Sequence, residues 1–311
     1  MRKVRYTLLD YMAIMKISVI GAGALGTFYS AMMAESGLDV TLVCREKDVP
    51  VLRQGISVTG AMEASARPAI SAVPVLSDVV FVTVKSYDVA GAVKGLPVNP
   101  GTIVVIIHNG IGPDEAASAV LGKCRVAVGV AYCGVTFLGP GKVCVAGYTE
   151  TVLGAVDPGA QDRLDLPLIA LTGAGLKARI TNDIRAAQWE KMYANVGINA
   201  ITAITGLTNG MLLEVPGLKA LAAAAVSEAA AVAAATGIRT GVDPVEQTFR
   251  VIRETAGNRS SMLQDVSRGR RTEIDALNGT IVRQGRQYGI PTPVNDTLTA
   301  LVKGIEKRSG H

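Results

Sequence analysis

The sequence predicts an α/β N-terminal domain, a parallel sheet with an antiparallel extension, followed by an all-α C-terminal domain. Three observations carry this. Short apolar strands alternate with helical stretches over roughly the first 120 residues. Two longer runs then flank "GPG" (139–141), and from about residue 183 nearly every segment has helical periodicity.

The first element is "KISVI" (16–20), an apolar strand. A glycine-rich turn follows, then a helix over about 24–36 that ends at Gly37, and a second strand over 39–43. Together they make a βαβ unit. "DVVFVTVK" (78–85) and "GTIVVIIHNG" (101–110) are continuous apolar runs ending in polar residues, as suits strands covered on both faces. "VAYCGVTFLGPGKVCVAGYTETVLGA" (130–155) reads as antiparallel strands around its GPG turn. The domain boundary is expected near 182, with "TND" (181–183) capping the first helix of the second half. The division is therefore an extension over 1–14, an α/β domain over 15–182 and a helical domain over 183–311.

Composition narrows the class. Hydrophobic residues make up 49% of the 311 and charged ones 18%, enough for two large cores. The excess of 31 Lys+Arg over 26 Asp+Glu is mild. It suits an anionic small ligand and is too diffuse for nucleic acid. Cys44, Cys124, Cys133 and Cys144 have no C-x-x-C spacing, and the only histidines are His108 and His311. No zinc site is expected, and the thiols read as reduced and cytoplasmic. The N-terminal stretch is basic and partly apolar, but Asp10 interrupts it. It reads as an extension, or as a misassigned start with Met15 the true one. The Ala-rich run at 219–236 carries Ser227 and Glu228. It reads as a packed helix ended by Gly237 rather than a membrane span.

Gly21, Gly23 and Gly26 form G-x-G-x-x-G between the first strand and its helix. There the first glycine permits a tight turn, the second lets backbone approach a pyrophosphate and the third lets helix pack on sheet. The turn and helix start, Gly21, Ala22, Gly23, Ala24, Leu25 and Gly26, therefore form the expected phosphate cradle. The rival is an ordinary turn or a site for an adenosyl cofactor. An acid at the end of the second strand would select NAD. Position 44 holds Cys, and Arg45 can grip a 2′-phosphate, which favours NADP, although Glu46 follows directly. Lys85 and Asn109 sit at the carboxyl ends of two further strands, where ligands of such sheets bind.

In the helical half, "AQWEKMYANVGINAITAITG" (187–206) places Lys191, Asn195 and Asn199 four residues apart, on one helix face roughly 12 Å long. A solvated face would explain the spacing, yet Asn is a poor helix former. In 258–282, Ser261, Asp265, Arg268, Thr272 and Asp275 keep near-helical spacing. Glu273 is expected on that helix with buried Met262, Ile274, Leu277 and Ile281.

The assembly of GAGALG, Arg45, "VTVKSYD" (82–88), "HNG" (108–110), "WEKMYANVGINAITA", "SSMLQDVSRGRRTEIDALNG" and "YGIPTPVNDTL" (288–298) resembles the ketopantoate reductase (2-dehydropantoate 2-reductase) family over residues 15–305. The resemblance implies an N-terminal Rossmann domain, a C-terminal helical domain and an active site between them. It implies NADPH-dependent reduction of ketopantoate to pantoate, in pantothenate and coenzyme A biosynthesis. Lys191 matches the general acid and Glu273 the active-site glutamate. Asn195 and Asn199 match substrate amides, Ser261 the carboxylate contact, and Lys85 and Asn109 the cofactor–substrate junction. His108 departs from the Gln common in relatives. The implied partners are a 2-keto acid and NADP, with a homodimer as a candidate assembly and no nucleic acid or membrane. The alternatives are an NADP-dependent reductase of another 2-keto or 3-hydroxy acid, and a non-catalytic NADP sensor.

Overall fold

The computed structural model describes residues 14–310; the expected extension, apart from Ile14, lies outside them. The chain forms two compact units. One runs to His108 and resumes over Pro113–Ile184, and the other comprises Asn109–Gly112 and everything from Arg185 onward.

The first unit opens with β1 (Lys16–Ile20), α1 (Ala24–Glu35) and β2 (Asp39–Val43), the βαβ unit the sequence predicts. Gly37, at φ +83°, ends α1, and Leu38 N–H donates back to Met33 O. After α2 (Val49–Leu52) come three short strands that the sequence reading did not resolve: β3 (Ile56–Gly60), β4 (Ala64–Ala66) and β5 (Ala69–Ser71). Next are β6 (Val79–Val82), α3 (Val89–Val93), β7 (Ile103–Ile107) and α4 (Pro113–Leu121). The long hairpin β8 (Val126–Gly139) and β9 (Lys142–Ala155), then α5 (Asp165–Gly173) and β10 (Ala178–Ile180), complete it.

The ten strands among the described residues form one sheet in the order β4-β3-β9-β8-β7-β6-β1-β2-β5, with β10 also paired to β9. The central run β2, β1, β6, β7, β8 is parallel, and β8–β9 is the antiparallel extension. Strand alternation divides its residues between two cores. Val79, Phe81, Ile103 and Val105 join Phe28 and Tyr29 of α1 on one face. Val80, Val82, Val104 and Ile106 join Val89 and Ala117 on the other. That two-sided burial is why β6 and β7 are uninterrupted apolar runs.

The second unit is helical: α6 (Ile184–Thr205), α7 (Met211–Glu214), α8 (Pro216–Ala235), α9 (Pro244–Glu254), α10 (Ser261–Ser267), α11 (Asn278–Tyr288) and α12 (Pro293–Arg308). Trp189, Met192, Val196, Val226, Ile252, Ile281 and Val302 contribute to one shared core. A buried polar knot fixes the helices within it. Glu228 of α8 accepts from the backbone N–H of Val294 and Asn295 and from Asn295 Nδ2, at 2.7–2.9 Å. Asn295 Oδ1 accepts from Asn278 Nδ2 at 2.9 Å, and that amide also reaches Val196 O on α6. Among the described residues α8 alone is long and apolar enough to cross a membrane. Its Glu228 is committed to these protein donors, as a packed helix requires.

One expectation is corrected. Residues 258–282 are not one helix. α10 stops at Ser267 in a Schellman turn, with Arg270 N–H donating to Asp265 O, Gly269 N–H to Val266 O, and Gly269 at φ +57°. Glu273 thus stands in the link between α10 and α11, where its carbonyl accepts from the N–H of Ala276 and Leu277.

Candidate active site

The glycine turn is shaped by sterics. A Cβ on Gly26 would lie 1.8 Å from Gly21 O and 2.5 Å from Thr83 Oγ1. Only glycine lets α1 start this close to the end of β1. Thr83, just after β6, donates its hydroxyl toward Ile20 O at 3.0 Å and Gly21 O at 3.1 Å, holding the turn shut. Gly21 itself sits at φ +108°. Gly23 is different: it is exposed, and a Cβ there would meet nothing within 4 Å among the described residues. Gly23 caps α1 without a side-chain hydrogen bond, and the first turn, beginning Ala24-Leu25, carries no acidic residue. Backbone donors, a helix dipole and open space coincide there, so the loop fits an anionic pyrophosphate.

At the end of β2, Cys44 is buried and its N–H donates to Ser71 O. Burial pushes its thiol pKa up. Arg45 points outward, 80% exposed, with Asp48 beside it at 3.4 Å. An exposed pair of this kind is weak, and a phosphate dianion competes with it readily. Lys85 lies half-buried just before the short 3₁₀ turn Ser86–Asp88.

Asn109 was expected with the sheet, but it belongs to the helical unit. Its Nδ2 donates to Glu273 Oε2 at 3.2 Å, linking residues 164 positions apart. Gly110 explains the approach: at φ +89°, a Cβ on it would stand 2.2 Å from Ala276 O. Glu273 is buried, and the backbone just before it is held by a group that the sequence did not reveal. Buried Glu306 of α12 accepts from Thr272 N–H at 2.6 Å.

On α6, the Lys191–Asn195–Asn199 face is not a wet surface. Asn199 is 4% exposed, and Lys191 and Asn195 are half-buried. Asn199 Nδ2 approaches Asn195 Oδ1 at 3.5 Å. Asn195 Nδ2 is buried and has no acceptor among the described residues. An unpaired buried amide costs stability unless something else satisfies it. Ser261 opens α10, exposed, directly after the N-cap Ser260. The structure thus pairs Asn109 with Glu273 and Asn195 with Asn199. It adds Thr83 and Glu306, signalled in the sequence only by a lone polar residue in an apolar strand run and a lone acid on a buried helix face.

A sheet with a parallel centre whose first turn is a phosphate-shaped glycine loop, together with a helical unit that carries a lysine–amide face, fits the class of dinucleotide-dependent oxidoreductases. Sequence and structure comparisons narrow it. The family model described as "Ketopantoate reductase PanE/ApbA" matches residues 17–158, and "Ketopantoate reductase PanE/ApbA C terminal" matches 183–306. A 2-dehydropantoate 2-reductase of Archaeoglobus fulgidus is 36% identical over 95% of this chain and 99% of its own length. The crystal structure of a PanE/ApbA family ketopantoate reductase from Ralstonia eutropha superposes with a TM-score of 0.86 at 33% identity, covering 96% of this chain and all of that one. D-mandelate dehydrogenase, solved with NADH and anilino(oxo)acetate, superposes at 0.88 with 26% identity, covering 96% of this chain and all of that one. The chain belongs to the ketopantoate reductase family.

Proposed function

We propose that this protein reduces the C2 ketone of 2-dehydropantoate to the hydroxyl of pantoate, with NADPH as reductant, in pantothenate and coenzyme A biosynthesis. The observation that carries the site assignment is the α6 face: a lysine in line with two amides, one of which holds a buried N–H₂ with no acceptor among the described residues. A bound keto acid supplies the missing acceptor.

The Gly21–Gly26 loop would hold the cofactor pyrophosphate, Arg45 the 2′-phosphate, and Lys85 and Asn109 the nicotinamide end. NADPH, when bound, supplies the hydride. Lys191 does the rest of the chemistry. Its ammonium donates to the C2 carbonyl oxygen, stabilises the charge that builds there and then transfers a proton to it. Solvent restores that proton. Asn195 and Asn199 orient the substrate, and the Ser261 hydroxyl donates to its carboxylate. Glu273 keeps the Asn109 amide aimed through their 3.2 Å bond. The same reading places the protein in the cytoplasm as a homodimer, off membranes; light scattering reading two chains supports the dimer, and one chain refutes it.

The test is NADPH oxidation with ketopantoate beside close 2-keto acid analogues, including an aryl one. Ketopantoate should give the highest kcat/KM. Preference for another keto acid would move the protein to a neighbouring activity. Tight NADPH binding without turnover of any acid would make it a sensor.

A further inference from the structure

Two buried hydroxyls next to this site have no part in the chemistry above. Thr202 lies on α6, eleven residues after Lys191. At about 100° per residue that returns it to within about 20° of Lys191 around the helix, so it extends the lysine–amide face by one turn. It is fully buried, and its hydroxyl donates to Ser260 Oγ on another helix at 2.7 Å. Ser260, itself 5% exposed, is the N-cap of α10: its Oγ accepts from Leu263 N–H at 3.1 Å.

An N-cap side chain ordinarily serves only its own helix. This one serves two masters. The oxygen that fixes the first turn of α10 is also gripped by the face of α6 that carries Asn195 and Asn199. The next residue, Ser261, is the one assigned to the substrate carboxylate. Thr202 has other acceptors in reach, Ile198 O at 2.8 Å and Asn199 O at 3.1 Å, so its proton has a resting place within α6. Its bond to Ser260 competes with these acceptors for one proton. What that bond uniquely does is tie the start of α10 to the amide face.

We propose that Thr202 is a positioning residue for the keto acid: through Ser260 it sets where the Ser261 hydroxyl stands relative to Asn195 and Asn199. The two ends of the substrate, carboxylate and ketone, are then held at a fixed separation by one buried hydroxyl contact. This rests on the function proposed above.

The test measures KM for ketopantoate, KM for NADPH, kcat and melting temperature for Thr202→Val, Thr202→Ala, Thr202→Ser and Ser260→Ala. Thr202→Val keeps shape and removes only the hydroxyl; Thr202→Ala serves if the valine variant does not fold. The keto-acid KM should rise about tenfold, the equivalent of one lost orienting hydrogen bond. NADPH KM should stay at the wild-type value and kcat within about threefold, since binding and not the proton-transfer step is perturbed. Thr202→Ser should restore the wild-type KM. Combining Thr202→Val with Ser260→Ala should raise KM no further than the worse single variant, because the two act as one unit. A lower melting temperature with unchanged keto-acid KM would make the pair purely structural and overturn the proposal. So would equal losses in NADPH and keto-acid affinity, or failure of Thr202→Ser to rescue. If the wild-type enzyme does not turn over ketopantoate, the function itself is overturned and this role falls with it. Turnover with a Thr202-independent KM overturns the positioning role alone.

Discussion

Alanine at Gly26 and alanine at Gly23 should damage the protein in two separable ways. At Gly26 the new Cβ would start 1.8 Å from Gly21 O, where ordinary contact begins near 3.4 Å, so α1 and the turn must part by about 1.5 Å. That movement breaks the Thr83 hydroxyl bonds at 3.0 and 3.1 Å that close the loop. The lost hydrogen bonding costs about 1 kcal/mol and the overpacking about 1–3 kcal/mol, or about 2–4 kcal/mol together. For a unit of this size that is a fall in melting temperature of about 4–16 °C. At Gly23 the backbone is at φ −79°, open to any residue, and the Cβ meets no atom of the described residues within 4 Å. The fold should be unmoved, within about 0.5 kcal/mol. The methyl instead occupies the space where a pyrophosphate would meet the backbone N–H groups. Charge-assisted bonds of that kind contribute about 1.5–3 kcal/mol, so the Kd for NADPH should rise at least about tenfold. Scanning fluorimetry of the cofactor-free variants and titration of NADPH fluorescence measure the two effects. Wild-type NADPH affinity in Gly23→Ala, or a wild-type melting curve in Gly26→Ala, would refute the reasoning.

Three further outcomes follow from the same structure. Arg45→Ala should raise the KM for NADPH far more than that for NADH, by loss of about 1.5–3 kcal/mol of phosphate contact, and should leave the melting temperature alone, because its Asp48 pair is 80% exposed on the arginine side. Equal effects on the two cofactors would remove Arg45 from the phosphate site. Asn295→Leu takes away the acceptor of Asn278 Nδ2 and the amide that binds Ala225 O and Glu228; urea unfolding should show a loss of about 3–5 kcal/mol, and a loss under about 1 kcal/mol would show that the polar knot is dispensable. Burial pushes the Tyr148 phenol up to about 12 from its ordinary value near 10, and burial raises Tyr29 in the same direction. The folded state favours both neutral phenols, so their stabilisation is complete below pH 10, and the part due to Tyr148 disappears as pH rises toward about 12. Melting temperature should fall across that window, less steeply in Tyr148→Phe; identical slopes would count against the assignment.

The parts of the fold legible in the sequence are those where local chemistry and global position agree. Gly21 and Gly26 announce the first turn because each has a steric role that no other residue fills, and Gly23 leaves open the space in front of the helix. Strands β6 and β7 are legible because burial on both faces leaves no polar position in them. Where the decisive partner is distant, the sequence is silent. β3 alternates apolar Ile56 and Val58 with polar Ser57 and Thr59, but over only five residues, and its place in the sheet is set by pairing with β9 across the chain. The spacing of Ser261, Asp265, Arg268, Thr272 and Asp275 continues through a helix end that Gly269 imposes, and periodicity placed Glu273 on a helix it does not occupy. Asn109 looks like a strand-end residue of the sheet, yet Gly110 carries it to Glu273. Thr202 looks like one more small residue of an apolar helix until its contact with Ser260 is seen.

The most direct test of the account is the kinetics of Lys191→Ala with NADPH and ketopantoate, read beside its melting temperature. Lysine is half-buried there and its removal opens no closed core. The account predicts a kcat lowered by roughly 10²–10⁴-fold, the range for a positioned general acid, with the fold intact. A variant that folds and turns over ketopantoate at nearly the wild-type kcat would contradict it.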